Sequence, residues 1–396
     1  MSIKKIVVVG AGITGLVAAI ELEKRGYSPL VIEKNNVVGG RLATEFHGNT
    51  PLDVGFQVLL TAYPEARNYL NYAELDLKYF LPGARIHTNG KTVLWGDPLR
   101  DSLFLSSAIF STIASVIDKW KVFTLQKKMK QKSISRIFLK EEKTTAEYLS
   151  EFGFSQAIIN NFFQPFFAGI YLEEKLTTSS RMFEFVFKMF AEGHAAIPAK
   201  GMYAIAEQLK SQLTRTTFKL GTEVTTFDRE KLTLDSGEEV KFDTCIYTTP
   251  TNADKIKWKS CENLYFELKK QPSELPIIGL FTHKNKLVNN YHFVTSLIPE
   301  DNKSILSVTI IKQHQYTDLE LLSLVKQELE NQLGLTNLNL INHYKIPKAL
   351  PQIVDLRYNP KNLRFENNVI FTGDYTVQGS INSAMLAGKK AVELLT

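Results

Sequence analysis

The sequence predicts an α/β protein in which helices cover a mainly parallel sheet. Three observations support this prediction: an apolar strand near the N-terminus runs into a glycine-rich turn and a helical stretch, a second apolar strand ends in an acid, and a third strand followed by a helix comes near the C-terminus. Alternating strands and helices are typical of parallel sheets, because parallel strands need a long crossover connection. We therefore expect both ends of the chain to join one sheet.

The first of these segments has the pattern of a dinucleotide-binding turn. The strand Ile6 to Val9 is followed by Gly10-Ala11-Gly12-Ile13-Thr14-Gly15. In order, the three glycines permit a sharp turn, close approach of backbone amides to a pyrophosphate, and tight packing of the next helix. That helix, Leu16 to Arg25, would present unpaired N–H groups and a partial positive charge to the phosphates and stop at Gly26.

An acidic residue completes the nucleotide motif. The second strand, Leu30 to Ile32, ends in Glu33, which lies 23 residues after Gly10. A carboxylate at this spacing accepts hydrogen bonds from ribose hydroxyls, whereas in a turn without a ligand it would be a solvated strand end. A glycine-rich turn alone is a weak signal, but the complete order of strand, turn, helix, strand and acid favours a bound nucleotide. NAD and FAD are both compatible with this segment.

Length and composition limit the remaining choices. A chain of 396 residues is too long for one simple core, so two domains or one interrupted domain are expected. The first apolar run is short and already forms the nucleotide strand, so no signal peptide is predicted. Cys245 and Cys261 share no CxxC or histidine-rich neighbourhood, which predicts neither a metal site nor a disulfide framework. A reduced, cytoplasmic setting is expected.

The net charge of +6 is concentrated in one segment. Lys119 to Lys143 contains nine Lys or Arg residues against Glu141 and Glu142, a balance of +7 that leaves −1 for the rest of the chain. The segment directly follows Ser102 to Ile117, which has no charged residue. Apolar residues dominate that stretch and continue at helical steps into the basic segment: Leu103, Phe104, Leu105, Ile109, Phe110, Ile113, Val116, Ile117, Trp120 and Phe123.

Two interpretations of residues 102–132 are open. The region can lie on an anionic membrane surface with its apolar side among the acyl chains, which makes the protein a peripheral membrane protein; it is too short for a comfortable membrane span. Alternatively, it is a helix that covers the protein's own core, with its lysines solvated. Nucleic-acid binding is not expected, because the positive charge is confined to one segment and a dinucleotide already accounts for the clearest motif.

Further stretches extend the nucleotide motif. Gly39-Gly40-Arg41 and Asp53-Val54-Gly55 follow Glu33, and the strand Val369 to Phe371 runs into Gly373-Asp374 and a helical stretch. The glycines free the backbone to turn close to a cofactor, and Arg41 offers a guanidinium fork suited to phosphate. Together with the N-terminal motif, these pieces resemble the FAD-dependent amine oxidase superfamily, which includes monoamine oxidases, protoporphyrinogen oxidases and carotenoid desaturases.

The resemblance implies FAD as the cofactor and a Rossmann-like FAD-binding domain with an inserted α+β substrate domain. Residues 1–75, 195–250 and 351–396 would form the FAD-binding domain, and residues 76–194 and 251–350 the substrate domain. Glu33 would bind the adenosine ribose, Arg41 the pyrophosphate, and Asp374 the ribityl or phosphate part. The expected FAD contacts are Gly10, Gly12, Ile13, Thr14, Gly15, Glu33, Lys34, Gly40, Arg41, Val224 (through its backbone), Gly373, Asp374, Ser380 and Ile381.

The same resemblance narrows the chemistry to an apolar substrate. Ten of the 25 phenylalanines fall between Phe152 and Phe190, which suits a dry substrate wall, although a helical core would have the same composition. The stretch Gln378 to Asn382 lacks the aromatic residue of monoamine oxidases, and the strand Pro276 to Thr282 lacks the lysine of many amine oxidases. The C-terminal pattern is closer to carotenoid desaturases. We therefore expect an FAD-dependent dehydrogenase or oxidase that removes two hydrogens; amine or protoporphyrinogen oxidation, and redox-neutral isomerisation, remain alternatives.

No catalytic side chain is assigned from the sequence. No Ser/His/Asp or Cys/His arrangement is visible, and His47 and His194, the histidines nearest the motifs, are expected to be polar or structural. The feature expected to serve catalysis is the helix that begins near Ser380 to Asn382. Its positive N-terminal end can stabilise negative charge on a reduced cofactor.

Overall fold

The computed structural model describes residues 4–88, 90–105, 111, 113–271, 274–353, 356–359 and 363–395. The helices are α1 Ile13–Lys24, α2 Pro64–Tyr69, α3 Val116–Gln131, α4 Ile134–Phe138, α5 Thr145–Glu151, α6 Gln156–Ile158, α7 Gln164–Tyr171, α8 Ser180–Glu192, α9 Tyr203–Ser211, α10 Asp318–Leu333 and α11 Ile381–Glu393, with a π-helical segment, Ile159–Phe163, joining α6 to α7. The strands are β1 Ile6–Val9, β2 Leu30–Ile32, β3 Thr44–His47, β4 Thr50–Asp53, β5 Leu59–Leu60, β6 Leu77–Tyr79, β7 Gly83–Thr88, β8 Lys91–Gly96, β9 Ala195–Pro198, β10 Thr217–Lys219, β11 Val224–Phe227, β12 Lys231–Leu234, β13 Glu239–Lys241, β14 Thr244–Tyr247, β15 Lys257–Lys269, β16 Ile278–Phe281, β17 Val288–Phe293, β18 Lys303–Ile310, β19 Asn339–Gln352, β20 Arg364–Glu366 and β21 Val369–Phe371.

One six-stranded sheet holds both ends of the chain. Its order is β10, β2, β1, β14, β21, β20, and every neighbouring pair is parallel except β20 with β21. Val7 lies opposite Cys245, which in turn lies opposite Val369. Helices α1 and α11 pack against each other so closely that a Cβ on Gly388 would lie 2.3 Å from the carbonyl oxygen of Thr14. The predicted α/β fold, with its two chain ends in one sheet, is confirmed.

A second, seven-stranded sheet comes from the middle of the chain. Its order is β19, β15, β18, β17, β16, β7, β8, and its pairs are antiparallel except for β16 with β7. Leu264 and Val308 on one face share a core with Leu321 and Val325 of α10. Polar side chains such as Asn263 occupy alternate positions and therefore point to the opposite face. The domain boundaries given above stay a prediction.

The phenylalanine-rich helices divide their rings between two environments. Phe163, Phe167, Phe183 and Phe185 are fully buried, and the rings of Phe167 and Phe183 lie 4.7 Å apart. For these four residues the interpretation as helical core is correct, although Phe167 also contributes to the wall of the cavity. The rings of a second group are only partly buried and line a cavity: Phe162, Phe166, Phe187 and Phe190.

Helix α3 presents apolar residues on two faces. Leu125 and Met129 are buried in the main core, whereas Val116, Ile117, Trp120 and Phe123 are exposed. The interpretation in which the latter residues cover the protein's own core is therefore wrong for them. Residues 106–110 and 112, which include Ile109 and Phe110, lie outside the described residues. Within the part of the chain that is described, no helix combines the length and apolarity needed to cross a membrane.

Both cysteines are free and buried, Cys245 in β14 and Cys261 in β15. Burial raises the pKa of the Cys261 thiol to about 12 and that of Cys245 further, so neither is a thiolate at neutral pH. Over the described ranges, no group of three or more His, Cys, Asp or Glu side chains is arranged to hold a metal ion.

Candidate functional site

The glycine-rich turn between β1 and α1 has no room for side chains. Gly10 has a φ of +98°, and a Cβ on Gly15 would lie 1.9 Å from the carbonyl oxygen of Gly10. Helix α1 begins at Ile13, its N-cap residue Gly12 offers no side-chain cap, and its first turn has no acidic residue. The first N–H groups of α1 are therefore available to an anion, as the sequence predicts.

A second glycine turn packs on the first. Gly12 forms an isolated bridge with Gly39, whose N–H donates to the carbonyl oxygen of Ala11 at 2.9 Å. A Cβ on Gly40 would lie only 3.2 Å from the Cα of Gly12. The two predicted glycine segments thus form one cradle of bare backbone, with Arg41 at its edge.

Glu33 is buried and anchors the cradle. Its Oε2 accepts a hydrogen bond from the N–H of Ala11 at 2.8 Å, and its Oε1 accepts one from the N–H of Asn35 at 2.9 Å. The alternative of a solvated strand end is therefore wrong. The N–H of Thr222 donates to the carbonyl oxygen of Glu33, which brings Val224, the first residue of β11, to the same edge, and Lys34 is exposed beside it. The assignment of these residues to the adenosine half of FAD stays a prediction.

Arg41 and Asp374 meet although 333 residues separate them. The Arg41 Nη2 lies 2.5 Å from Oδ1 of Asp374, which is buried in the 3₁₀ turn Asp374–Thr376 directly after Gly373. The guanidinium also lies 5.5 Å from the ring of Trp258 and remains partly exposed. Because guanidinium has five N–H donors, this arginine can hold a phosphate while it stays paired with the carboxylate.

Helix α11 begins where the sequence predicts. Ser380 is its N-cap, and the Ser380 hydroxyl accepts a hydrogen bond from the N–H of Ser383 at 3.1 Å, so Ile381 is the first helical residue. Close by, both amide atoms of Gln378 and the Nδ2 of Asn382 are buried without a partner among the described residues. Orphaned amides of this kind are satisfied by a bound polar group or by ordered water. The bare cradle, the arginine and these amides fit FAD.

An apolar cavity of about 260 Å³ lies beside the partly buried phenylalanines. Arg100 and His194 supply polar groups at its wall, where Arg100 Nη2 lies 2.9 Å from Nδ1 of His194. Leu99 and Phe123, both exposed, mark its mouth. The apolar wall is formed by Phe80, Trp95, Val122, Phe162, Phe166, Phe167, Phe187, Phe190 and Ile278.

The inner wall of this cavity reaches the segment that contains Asp53-Val54-Gly55. Phe80 lies 6.0 Å from Phe56 between ring centroids, and His292 contacts both rings at 5.5 and 4.6 Å. His292 is buried, and burial lowers its pKa to about 3, so its imidazole is neutral. The sequence analysis missed His292. The one indication in the sequence was its position two residues after Asn290, which places both polar side chains on the same face of β17. His47, in contrast, pairs with Glu267 at 3.0 Å.

A second, more polar cavity of about 450 Å³ lies next to Gly379, directly before the start of α11. Tyr171, Leu350 and Ile353 contribute to its wall together with Lys259. The Lys259 Nζ donates to Glu173 at 2.6 Å and to the carbonyl oxygen of Tyr171 at 2.9 Å, so its charge is paired. Helix α7 contributes to both cavities, since Phe167 lines the first and Ile170 and Tyr171 line the second.

Asp53 connects the segment Asp53-Val54-Gly55 to Met202, which follows strand β9. Its Oδ1 accepts hydrogen bonds from the Thr44 hydroxyl at 2.5 Å and from the N–H of Met202 at 2.8 Å, and its carbonyl oxygen accepts one from the Tyr265 hydroxyl at 2.9 Å. Burial raises the pKa of Asp53 to about 6, although the two hydrogen bonds to its carboxylate counteract part of that rise. This carboxyl group therefore binds its proton more tightly in the folded protein than in the unfolded chain.

We expect stability to depend on the protonation of Asp53. A raised pKa favours folding while the group is protonated, so this contribution is complete below about pH 4, falls as the pH rises to about 6, and is then lost. A rise from 3.8 to about 6 corresponds to a loss of about 3 kcal/mol. Urea unfolding measures this effect: the free energy of unfolding should fall between these pH values in the wild type and should not fall in Asp53→Asn. Asp301→Asn, at an exposed position, should keep it; a slope that persists in Asp53→Asn would contradict the assignment.

Comparison with known proteins supplies three findings. Residues 13–396 match the model of a family described as flavin containing amine oxidoreductase. The chain is 30% identical to the 1-hydroxycarotenoid 3,4-desaturase of Flavobacterium sp. strain P99-3 over 35% of this chain and 29% of that protein. It is 28% identical to protoporphyrinogen oxidase 2 of Arabidopsis thaliana over 42% of this chain and 32% of that protein. Both matches span about a third of the relative's length.

A solved structure extends the similarity to the whole fold. The crystal structure of an oxidoreductase from Methanosarcina mazei superposes with a TM-score of 0.72 at 14% identity, and the match covers 98% of this chain and 100% of that one. An identity this low shows the common fold and leaves the substrate open.

Proposed function

The chain belongs to the flavin-containing amine oxidoreductase family, and from this premise we propose that it removes two hydrogens from an apolar substrate in a desaturase-like or dehydrogenase-like reaction. It is an FAD-dependent oxidoreductase, as the family match over residues 13–396 establishes. The observation that supports the proposal most is the apolar cavity whose Phe80 contacts Phe56, since the adjacent Gln57 donates a hydrogen bond to the carbonyl oxygen of Arg41 at the edge of the cradle. The similarity to a carotenoid desaturase agrees with it.

Some residues of the site would bind the cofactor, and others would position the substrate. Bound FAD supplies the two-electron acceptor. The glycine cradle, Glu33 and Arg41 would hold its nucleotide and phosphates, and the start of α11 would stabilise negative charge near Ser380. The phenylalanine wall excludes water and orients an apolar chain, and orientation accounts for much of the acceleration when no acid or base is required.

The side chains at the inner wall argue against acid–base chemistry there. His292 is neutral at physiological pH because burial lowers its pKa to about 3, and Phe56 and Phe80 enclose it. Its neutral ring can accept or donate one hydrogen bond without bringing a charge next to an apolar substrate.

Anaerobic addition of candidate substrates tests the proposal. We expect a detergent-solubilised 1-hydroxycarotenoid to bleach the flavin absorbance, because net oxidation of the substrate reduces the cofactor. Bleaching by putrescine or by protoporphyrinogen instead would replace the proposal with an amine or porphyrinogen oxidase. Conversion of a substrate without accumulated reduced enzyme would indicate the redox-neutral alternative.

Filling the cavity should lower turnover without loss of the cofactor. Ala191 lines the cavity, and Ala191→Phe would occupy part of its 260 Å³. We expect kcat/KM for the apolar substrate to fall roughly 10- to 100-fold, since a displaced or misoriented chain loses the near-attack geometry. FAD content should stay at the wild-type level, as it should in the exposed control Ala73→Phe, which should also keep its kcat/KM. Unchanged kcat/KM in Ala191→Phe would exclude this cavity as the substrate site.

A further inference from the structure

Helix α7 contributes a wall to each of the two cavities. Phe167 lines the apolar cavity, and Tyr171 lines the more polar one. The helix continues from the π-helical segment Ile159–Phe163 and is followed by Leu172, which has a φ of +50°. π-helical turns and bulky residues with a positive φ are uncommon and persist where the surrounding structure holds them. The position of α7 therefore depends on the surface on which it packs.

Two asparagine amides of β17 lie directly against the middle of α7. A Cβ on Gly169 would lie 2.9 Å from Nδ2 of Asn289 and 2.9 Å from Oδ1 of Asn290. The same Nδ2 atom donates to the carbonyl oxygen of Pro165 at 3.2 Å. The backbone of α7 thus packs on the two amides with no side chain in between.

An irregularity in β17 brings both amides to the helix. Neighbouring residues of a regular strand point to opposite faces of the sheet. The pairing of β17 with β18 places Val288 opposite Ile310 and Asn290 opposite Thr309, so Asn289 is one residue more than the partner strand has. An extra residue of this kind redirects a side chain and is common beside functional sites. We call Asn289 and Asn290 the amide pair.

The amide pair cannot move aside without loss of hydrogen bonds. Asn289 and Asn290 are 1% and 3% exposed, and Nδ2 of Asn289 donates to Oδ1 of Asn290 at 3.0 Å. Oδ1 of Asn289 accepts a hydrogen bond from Nζ of Lys286 at 3.0 Å, and Nδ2 of Asn290 donates to Oγ1 of Thr309 at 3.2 Å. Rotation of either side chain would leave buried polar groups unpaired. The amide pair is therefore a fixed stop for α7.

The distance between α7 and the second sheet fixes the width of the apolar cavity. The helix contributes Phe166 and Phe167 to the cavity wall, and the sheet contributes Trp95 of β8 and Ile278 of β16. Strand β16 pairs directly with β17, which carries the amide pair. A helix lifted from the amide pair would therefore move both phenylalanine rings away from Ile278 and widen the cavity.

We propose that the amide pair and Gly169 select the substrate, because together they hold the apolar cavity at a width that fits a slim, unbranched apolar chain. In a cavity of about 260 Å³, wall atoms that move away by a fraction of an ångström lose much of their dispersion contact with such a chain. Asn289 and Asn290 are positioning residues, since they contact α7. The selection of substrate rests on the function proposed above; the position of α7 does not.

Binding of two fluorescent probes to the FAD-loaded protein tests the proposal. Parinaric acid is a slim linear tetraene, whereas pyrenebutyric acid carries its carboxylate on a bulky fused ring system. The methyl group of Gly169→Ala should lift α7, so we expect parinaric acid to bind roughly 3- to 10-fold more weakly and pyrenebutyric acid to bind at least as well as before. KM for a slim apolar substrate should rise by a similar factor, with kcat changed less than about twofold.

A variant of the amide pair should have the opposite effect. Asn290→Ser shortens the stop and keeps a hydroxyl group for the polar neighbours, so α7 should lie closer to the sheet. Pyrenebutyric acid should then bind roughly 3- to 10-fold more weakly, with little change for parinaric acid. The double variant Gly169→Ala/Asn290→Ser should return the ratio of the two affinities toward the wild type, because the serine makes room for the methyl group.

A control variant and the flavin content exclude a general disturbance of the fold. Asn285→Ala changes an exposed asparagine before β17 and should leave the ratio of the two affinities unchanged. All variants should retain FAD at the wild-type level. A wild-type ratio in Gly169→Ala would overturn the proposal, and so would a shift in the same direction for Gly169→Ala and Asn290→Ser.

Probe binding separates this proposal from the proposed function, because it requires no turnover. Opposite shifts of the affinity ratio without bleaching of the flavin by any apolar substrate would leave the role of the amide pair in place and overturn the function. Bleaching by an apolar substrate with an unchanged ratio in both single variants would overturn the role of the amide pair and leave the function in place.

Discussion

Glu33→Ala is expected to lower the affinity for FAD roughly 10- to 100-fold, the effect of losing one or two hydrogen bonds to a charged group. The buried carboxylate holds the N–H of Ala11 at 2.8 Å and, by the family resemblance, the adenosine ribose. Alanine removes both functions. The ratio of flavin to protein absorbance after purification, followed by titration of the apoprotein with FAD, measures the change.

A control variant shows whether the effect is specific to the carboxylate of Glu33 or follows from the loss of any glutamate. Glu230→Ala changes an exposed acid in the turn before β12 and should keep the full flavin content. Glu33→Gln should lie between the alanine variant and the wild type, since an amide oxygen still accepts one hydrogen bond but carries no charge. Asp374→Ala should also lose FAD, because it leaves Arg41 without its carboxylate partner. Full occupancy in both Glu33→Ala and Asp374→Ala would contradict the cofactor site.

The cradle could be predicted from sequence because its chemistry is local. The turn has a φ of +98° at Gly10, and a Cβ on Gly15 would lie 1.9 Å from the carbonyl oxygen of Gly10, so glycine is the residue that fits at both positions. The strand that ends in Glu33 is likewise recognisable from its apolar run. The predicted end of α1 at Arg25 differs from the observed end at Lys24 only because Arg25 is its C-cap.

The environment of each apolar residue could not be predicted in the same way. Helical spacing groups Trp120 with Phe123 and Leu125 with Met129, but it does not say which pair faces the core. Only the position of α8 against α3 decides this, and the contact depends on residues far away in the chain. The phenylalanines divide between core and cavity for the same reason.

Long-range pairings were the other element that sequence left undetermined. Arg41 and Asp374 were each expected near a phosphate, yet nothing in either segment predicts their direct ion pair. His292 was missed because a single histidine in a strand that also contains Asn289 and Asn290 resembles any other buried polar residue. Its position beside Phe56 and Phe80 follows from the packing of the second sheet on the segment around Asp53, where Leu52 shares a core with Tyr265 and Val294.

Gly388→Val is expected to destabilise the packing of α11 against α1, the helices near the two ends of the chain. A Cβ at this position would lie 2.3 Å from the carbonyl oxygen of Thr14 and 3.0 Å from the backbone nitrogen of Ala18, so α11 would have to move away from α1. Overpacking of this kind costs about 2–3 kcal/mol, which corresponds to a fall in Tm of roughly 2–4 °C for a chain of this length. Thermal release of FAD, followed by flavin fluorescence, measures it, and the affinity for FAD should fall as well because Thr14 belongs to the cradle.

A second variant, Gly388→Ala, tests the same contact, because its expected effect on stability is opposite to that of an ordinary glycine-to-alanine substitution. In an ordinary exposed helix position, replacing glycine by alanine raises stability by about 1 kcal/mol. At Gly388 even the single methyl group has no space, so Gly388→Ala should lower the release temperature instead of raising it. Lys390→Val, a β-branched residue at a half-buried position of the same helix, controls for helix propensity and should change the temperature little. A stabilising Gly388→Ala would mean that α1 and α11 do not touch there, and the two ends of the chain would then need another way to enclose the cofactor.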